Sequence, residues 1–312
     1  MLIGINCDMG ESFGLYKMGD DEAIMSHITI ANVACGFHAS DPSVMARTVR
    51  LAKQYGIKVG AHPSLPDLQG FGRREMKMEP GELTECLIYQ VGALSGFLAR
   101  EGMPLNHIKP HGALYGMAAR DEKVARAVAA VAKIFKVPLY GMCGTLHEQI
   151  YTGEGIPFVS EFYVDLDYSS DGSLIITRQH EAVDPQAAAA RTLRALEEGK
   201  VRSLQGPDVA VRAECVCVHS DTPGAVDVAK AVREAVSGYL HQSGVGLGEH
   251  DAQGPDCKPG RDRLSGDSKL QETGVIDGCR LFGSGQGSPP RAARRCRPVD
   301  WPVSRAGELS GR

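Results

Sequence analysis

The chain has 312 residues, of which 43% are hydrophobic, and its formal net charge is −4 at pH 7. This length and composition suffice for one large domain or two small ones, and the mild acidity excludes the basic surface of a nucleic-acid-binding protein. The lack of a signal peptide, and of any apolar run approaching the ~20 residues of a membrane helix, predicts a cytoplasmic protein with no membrane segment.

Strand-like and helix-like segments alternate along the first 240 residues. Strands are predicted at "LIGIN", "ITIANVAC", "IKVGAHPS", "NHIKPHGALYG" (a strand and turn), "VPLYGMCG", "PFVSEFYVDLDY" and "AECVCVHSDTPG". Helices are predicted at "PSVMARTVRLAKQYG", from Pro80 to Arg100, and at "DEKVARAVAAVAKIF", "TLHEQIYTGEG", "DPQAAAARTLRALEEG" and "AVDVAKAVREAVSGYL". Seven such repeats favour an α/β fold in the form of a seven-stranded (β/α) barrel, with a doubly wound parallel sheet as the alternative.

The composition changes near Ser243. Residues 244–312 are rich in Gly, Pro and Arg and lack periodic apolar positions. Such a segment cannot bury enough apolar surface to form a core. We therefore predict a catalytic barrel over residues 1–243 and a disordered or atypical C-terminal tail over residues 244–312.

Polar side chains gather where the predicted strands end. In a parallel α/β fold the C-terminal ends of the strands form one face, and that face carries the active site. Four of the ten histidines, at positions 38, 62, 111 and 219, occupy such positions, which favours one shared site. The candidates in chain order are Asn6, Asp8, Glu11, His38, His62, Lys109, His111, Glu161, Asp165 and His219.

Other polar residues near the strand ends have structural interpretations. Asp41 directly precedes Pro42 and a helical segment, so we interpret it as a helix N-cap, and Asp221 as the corresponding cap of the last helix. Cys35 lies inside an apolar run and is interpreted as a core residue. The nine cysteines are an odd number without a CxxC pair, which indicates reduced thiols.

The residues themselves leave two chemistries open. In the first, Asp8, His38 and His62 hold a divalent metal ion that activates water. In the second, no metal takes part: Asp8 or Glu11 activates water, a histidine supplies a proton, and Lys109 stabilises the oxyanion.

Several long motifs resemble the LamB/YcsF family, which includes a component of the bacterial ATP-dependent 5-oxoprolinase. They are "NCDMGESFG", "NVACGFHASDP", "VGAHPSLPDLQGFGRREM", "HIKPHGALYGMAARD", "YSSDGSLIITR" and "CVHSDTPGAV", in the family's order over about residues 2 to 240. The resemblance implies a distorted barrel similar to glycoside hydrolases and polysaccharide deacetylases. It also implies hydrolysis of the lactam of 5-oxo-L-proline to L-glutamate with ATP as co-substrate, together with partner subunits B and C.

The resemblance also implies site residues. The family's polar motif positions fall on Asp8, Glu11, His38, His62, Lys109 and His111, which we predict to be catalytic. We assign substrate binding to Asn6, Arg73, Glu161, Asp165 and His219. Arg73, in a loop whose glycines indicate flexibility, is expected on the substrate carboxylate. A divalent metal would accompany ATP as Mg²⁺ or occupy the site itself.

One departure from the family pattern is Leu166, which stands where the family has arginine after the aspartate that matches Asp165. Two functional alternatives remain at this point. One is a metal-dependent amidohydrolase or deacetylase acting on a carbohydrate amide, and the other is a non-catalytic, ligand-binding regulatory subunit.

Overall fold

The computed structural model describes residues 3–177 and 180–240. The tail predicted at residues 244–312 lies outside the described residues. Within the described ranges, no helix combines the length and the hydropathy that crossing a lipid bilayer requires.

Among the described residues, the predicted strands and helices occur in the predicted order, together with two short α-helices and four short strands that were not predicted. The strands are β1 (Gly4–Met9), β2 (Ile30–Ala34), β3 (Lys58–His62), β4 (Leu105–Ile108), β5 (Leu139–Gly141), β6 (Phe158–Tyr163), β7 (Asp167–Tyr168), β8 (Leu174–Ile175), β9 (Lys200–Arg202), β10 (Asp208–Ala210) and β11 (Cys215–His219). The helices are α1 (Asp21–Met25), α2 (Pro42–Gln54), α3 (Pro80–Glu101), α4 (Gly112–Ala118), α5 (Glu122–Phe135), α6 (Leu146–Gly153), α7 (Pro185–Glu198) and α8 (Ala225–Ala235).

Seven strands close into a barrel in the order β1-β11-β6-β5-β4-β3-β2. Every pairing in the barrel is parallel. The predicted seven-stranded (β/α) barrel is therefore confirmed, and the doubly wound sheet is wrong. The remaining strands form two small antiparallel hairpins, β7-β8 and β9-β10. The barrel strands are buried almost throughout, as expected for parallel strands covered by helices.

Helix ends follow local chemistry. The Asp41 carboxylate accepts hydrogen bonds from the main-chain N–H groups of Ser43 (2.7 Å) and Val44 (3.1 Å), which confirms it as the N-cap of α2. Helix α3 ends at Gly102, whose φ of +69° is the left-handed conformation of a helix C-cap.

Two local predictions were wrong. The segment after β4 was predicted as a turn, but residues 112–118 form helix α4, because Leu114 and Tyr115 are buried in the core. Asp221 was interpreted as the cap of α8, but the N-cap position is Gly224, and Asp221 forms an ion pair with Arg73 instead.

Candidate active site at the mouth of the barrel

The strand register gathers the predicted residues at the C-terminal end of the barrel. Asp8 on β1 lies opposite Asn32 on β2 and His219 on β11. His62, the last residue of β3, lies opposite Ala34, the last residue of β2. Residues separated by up to about two hundred positions in the sequence thus meet at one face, as the strand-end argument predicted.

Lys109 is the central cation of this site. Only 2% of the residue is exposed, and its Nζ donates to Asp8 Oδ1 at 3.1 Å. The same Nζ is 3.3 Å from both Asn6 Oδ1 and Glu161 Oε1. Burial alone would lower the pKa of Lys109, but the charges of Asp8 and Glu161 raise it well above its usual value. The ammonium group is therefore charged although it is buried.

Asp8 remains ionised for the reciprocal reason. Burial would raise its pKa, but the charges of His62 and Lys109 outweigh burial and hold the pKa well below its usual value. Asp8 Oδ2 lies 3.2 Å from His62 Nε2 and 3.6 Å from His219 Nε2. The carboxylate thus links three potential proton donors.

His219 and Asp165 form a second pair. His219 Nδ1 is 2.9 Å from Asp165 Oδ1, and the main-chain N–H of His219 donates to Asp165 Oδ2 at 2.8 Å. Burial would lower the pKa of His219, but the Asp165 charge and hydrogen bond, together with the Asp8 charge, raise it. The pair resembles the base-and-orienter arrangement of acid–base enzymes, with Nε2 of His219 left for chemistry.

The remaining catalytic candidates form what we call the histidine cluster: Glu11, His38, His62 and His111. His38 Nε2 is 3.1 Å from Glu11 Oε1, and the rings of His38 and His111 stack with centroids 3.8 Å apart. His111 Nδ1 is 2.9 Å from His62 Nε2. Burial, followed by the charges of Asp221 and Asp8, raises the pKa of Glu11, whereas burial and neighbouring histidines lower the pKa values of His38 and His111.

The predicted metal ligands do not all fall in one group. Among the described residues, two sets of side chains bring potential ligand atoms within 4.8 Å of one another. One is the histidine cluster, and the other consists of Asp8, Cys217 and His219. The predicted set of Asp8, His38 and His62 is thus divided, because His38 faces Glu11 rather than Asp8.

A narrow cleft with a cavity volume of about 30 Å³ opens over these groups. Asp8, His62, Lys109, His111 and His219 contribute to its polar wall. Another part of the cleft wall is apolar and includes Leu166, Leu174 and Ile176. Leu166, which stands where the family has arginine, therefore presents an apolar side chain to the cleft. A small site of this kind, with few convergent polar groups, suits a small polar ligand.

Arg73 also lines the cleft, and its position follows from a tight loop. Its Nη2 donates to Asp221 Oδ2 at 2.8 Å. Burial would raise the pKa of Asp221, but a hydrogen bond from His180 and the charge of Arg73 outweigh burial and lower that pKa. Gly72, with φ +64°, packs so closely that a Cβ there would lie 2.8 Å from His38 Cβ. The loop predicted from its glycines to be flexible is instead packed on the histidine cluster.

Three predicted substrate-binding residues lie behind the cleft rather than in its wall. Asn6 Nδ2 donates to Glu161 Oε1 at 3.0 Å, and both contact Lys109 from within the barrel. Asp165 contacts His219 in the same supporting manner. Among the predicted substrate-binding residues, Arg73 and His219 line the cleft.

The sequence did not predict Asn32 and His107. Asn32 donates to Asp8 Oδ1 at 2.7 Å and to Asn6 Oδ1 at 2.6 Å, while its own Oδ1 contacts His107 Nε2 at 2.7 Å. Asn32 lies inside the run "IANVA", and its polarity within a fully buried strand was the available signal.

The buried cysteines behave as core residues. Burial raises the pKa of Cys35 to about 12 and that of Cys217 well above its usual value. Cys217 accepts a hydrogen bond from Lys109 at 2.9 Å. A thiol held in the protonated form is a poor nucleophile, and all six cysteines in the described ranges are free.

Comparison with known proteins identifies the family of the chain. The sequence profile of the LamB/YcsF family matches residues 3–247. The chain belongs to this family. It is 48% identical over 239 residues to a protein of Bacillus licheniformis that is named as one of the subunits of 5-oxoprolinase, with 74% of this chain and 93% of that protein covered.

Two further relatives are consistent with this assignment. The chain is 47% identical over 245 residues to the lactam utilization protein lamB of Emericella nidulans, with 77% of this chain and 96% of that protein covered. The crystal structure of the lactam utilization protein from Thermus thermophilus matches with a TM-score of 0.71 at 45% identity, covering 76% of this chain and 97% of that one. The family resemblance read from the motifs is thus confirmed.

Proposed function

We propose that this chain is the lactam-cleaving subunit of an ATP-dependent 5-oxoprolinase. It would open the ring of 5-oxo-L-proline to give L-glutamate, with ATP as co-substrate and Mg²⁺ accompanying the nucleotide. The names of its relatives support this reaction class and, through the word subunit, an assembly with partner proteins, which we expect to be subunits B and C. The observation that carries the proposal is the buried, charged Lys109 in the wall of a small cleft.

Lys109 suits the stabilisation of a developing negative charge. Hydrolysis of an amide places charge on the carbonyl oxygen in the transition state, and a preorganised cation in a water-poor site stabilises that charge strongly. The Nζ of Lys109 is fixed by Asp8 and Glu161, so little reorganisation is needed when the charge develops. Transfer of the γ-phosphoryl group from ATP to the same oxygen, with ADP as the leaving group, would make the ring carbon a better electrophile for water. After water adds, the C–N bond would break with a proton going to the amine, and hydrolysis would release the phosphoryl group as inorganic phosphate. Lys109 would face the phosphoryl group while it is attached.

We assign proton transfer to His219. Its raised pKa favours the protonated ring, and Asp165 fixes the ring so that Nε2 remains for the substrate. Opening the lactam leaves an amine that needs a proton, which His219 would donate.

Asp8 and Glu11 are assigned different roles. The lowered pKa of Asp8 makes its carboxylate a weak base but a stable anion that orients water and holds Lys109 and His62. Glu11 lies outside the lining of the cleft and contacts His38, so we assign it to the histidine cluster rather than to the lactam. Arg73, whose charge lies in the cleft wall, is assigned to the carboxylate of 5-oxoproline.

The test is reconstitution of the chain with subunits B and C from the same organism. Glutamate and ADP should appear together from 5-oxoproline and ATP, and His219→Gln should reduce kcat far more than KM. Asp121→Asn, at an exposed N-cap where asparagine serves equally well, is the matched control and should retain full activity. Undiminished activity of His219→Gln and of Asp8→Asn would contradict the assignment of the site. Release of acetate from an N-acetylated sugar, without turnover of 5-oxoproline, would instead support the deacetylase alternative.

A further inference from the structure

The hydrogen bonds around the histidine cluster fix the protons on two of its rings. His62 Nδ1 lies 2.8 Å from the main-chain oxygen of Lys109, and His111 Nε2 lies 2.8 Å from the main-chain oxygen of Phe71. A carbonyl oxygen only accepts hydrogen bonds, so each of these nitrogens carries a proton. In the neutral rings, His62 Nε2 and His111 Nδ1 are therefore the nitrogens with free lone pairs.

These two lone-pair nitrogens face each other. His62 Nε2 is 2.9 Å from His111 Nδ1, and Glu11 Oε1 lies 3.6 Å from the same His111 nitrogen. Two lone pairs and a carboxylate oxygen repel one another at these separations unless a proton or a metal ion lies between them. Ligand atoms arranged in this way, with each opposite ring nitrogen bound to a carbonyl oxygen, are the pattern of a histidine metal site.

We propose that Glu11, His62 and His111 bind a divalent transition-metal ion. Bonds of about 2.0–2.1 Å in a tetrahedral zinc site place the ligand atoms roughly 3.3–3.4 Å apart. The two separations given above, 2.9 and 3.6 Å, bracket that value. Two imidazoles and one carboxylate are a donor set that favours Zn²⁺ over Mg²⁺ or Ca²⁺.

His38 belongs to the site in a different role. Its ring lies nearly parallel to that of His111, with an angle of 7° between the planes, so the in-plane lone pairs of the two rings do not meet at one point. His38 Nε2 instead lies 3.1 Å from Glu11 Oε1 and positions that carboxylate. Three protein ligands leave one position of the ion open, and both His62 and His111 reach the wall of the cleft.

This ligand set differs from the Asp8, His38 and His62 set predicted from the sequence. It also does not depend on the proposed reaction, because a metal site can be measured in a protein that cleaves no lactam. Asp8 Oδ2 approaches His62 Nε2 at 3.2 Å, but Asp8 groups with Cys217 and His219 in the alternative set of ligand atoms. The experiment must therefore separate these two groups.

The experiment measures metal binding by the purified full-length chain. After loading with Zn²⁺ and dialysis, the wild type should retain one equivalent, and Zn²⁺ should raise its melting temperature. The Co²⁺-loaded protein should show the intense visible absorption of four- or five-coordinate cobalt. Affinity is measured by competition with a chromophoric chelator, which needs no enzymatic activity.

Variants distinguish the ligands from their neighbours. Glu11→Gln and His111→Gln should lose stoichiometric Zn²⁺ and the Co²⁺ spectrum, whereas His38→Gln should weaken binding by about 10–100-fold, the effect expected of a residue that positions a ligand. His219→Gln, in the alternative group, should retain the metal. Circular dichroism checks that each variant is folded, and Glu11→Gln provides the nearly isosteric change if His111→Gln does not fold.

Absence of zinc from the loaded wild type would mean that the two histidines share a proton, and the proposal would be wrong. Loss of zinc from His219→Gln but not from His111→Gln would equally overturn it.

Discussion

Replacing Lys109 by methionine leaves two buried carboxylates, Asp8 and Glu161, without the cation that they share. Lysine and methionine have similar unbranched stems, so the change removes charge with little loss of packing. Nζ of Lys109 is 3.1 Å from Asp8 and 3.3 Å from Glu161, and all three side chains are at most 3% exposed. The substitution therefore tests the electrostatics of the barrel interior rather than its volume.

The expected destabilisation follows from this burial. Removing one partner of a buried ion pair costs about 3–5 kcal/mol, because the remaining charge is left uncompensated. For a domain of this size each kcal/mol lowers the melting temperature by about 2–4 °C, so Lys109→Met should melt roughly 6–20 °C below the wild type. The value is measured by differential scanning calorimetry and by urea unfolding.

The effect of Lys109→Met should also depend on pH. Asp8 then keeps His62 but loses Lys109, one of the charges that hold its pKa down, so the pKa of Asp8 is higher in the folded variant than in the folded wild type. The loss of stability relative to the wild type therefore increases with pH up to the pKa of Asp8 in the variant and is constant above it. We expect a smaller loss in acid than at neutral pH.

Two comparisons make this prediction refutable. Lys53, whose side chain is 53% exposed, lies 3.5 Å from Glu101, and Lys53→Met should change stability by no more than about 0.5 kcal/mol. Adding Glu161→Gln to Lys109→Met should recover part of the loss, because it removes one of the unpaired charges. If Lys109→Met destabilised no more than Lys53→Met, or if the double variant were less stable than the single one, the electrostatic reasoning would be refuted.

Three further predictions concern single contacts. Asp41→Ala should lower the free energy of unfolding by about 1 kcal/mol in urea titrations, since it removes the cap of α2, and Asp41→Asn should restore most of it. Asp165→Asn should lower the pKa of His219 measured by NMR. Since His219 must be protonated to act as the acid, the activity of this variant should decline at a lower pH than that of the wild type as the pH rises. An unchanged pKa would contradict the pairing. Gly72→Ala should destabilise the fold in thermal melts, since its Cβ would lie 2.8 Å from His38 Cβ at a φ of +64°; a neutral result would show that the loop relaxes freely.

The sequence was sufficient to predict the barrel and most of the site for one physical reason. Parallel strands bring all their C-terminal ends to one face, so Asp8, His62, Lys109 and His219 could be grouped without knowing any distance. Helix caps such as Asp41 were equally accessible, because a cap acts on residues two or three positions away.

The sequence could not predict contacts that depend on the direction of a side chain or on a partner far away in the chain. A strand buried on both faces reads as a continuous apolar run, so its pattern does not reveal that Asn32 faces Asp8. Asp221 resembles a cap in its local context, and its partner Arg73 is 148 positions away. The histidine cluster and the group of Asp8, Cys217 and His219 both contain histidine and carboxylate side chains. Only the positions of the ring nitrogens in the structure show that they are two separate groups.

His62 belongs to the boundary between those two groups. Its Nε2 is 3.2 Å from Asp8 Oδ2 and 2.9 Å from His111 Nδ1, while its Nδ1 is bound to the main-chain oxygen of Lys109. Substitutions on the two sides of this ring should therefore have strongly non-additive effects. A laboratory selection for a new substrate would then need substitutions in both groups at once, because a substitution in one group would also change the charges that surround the other.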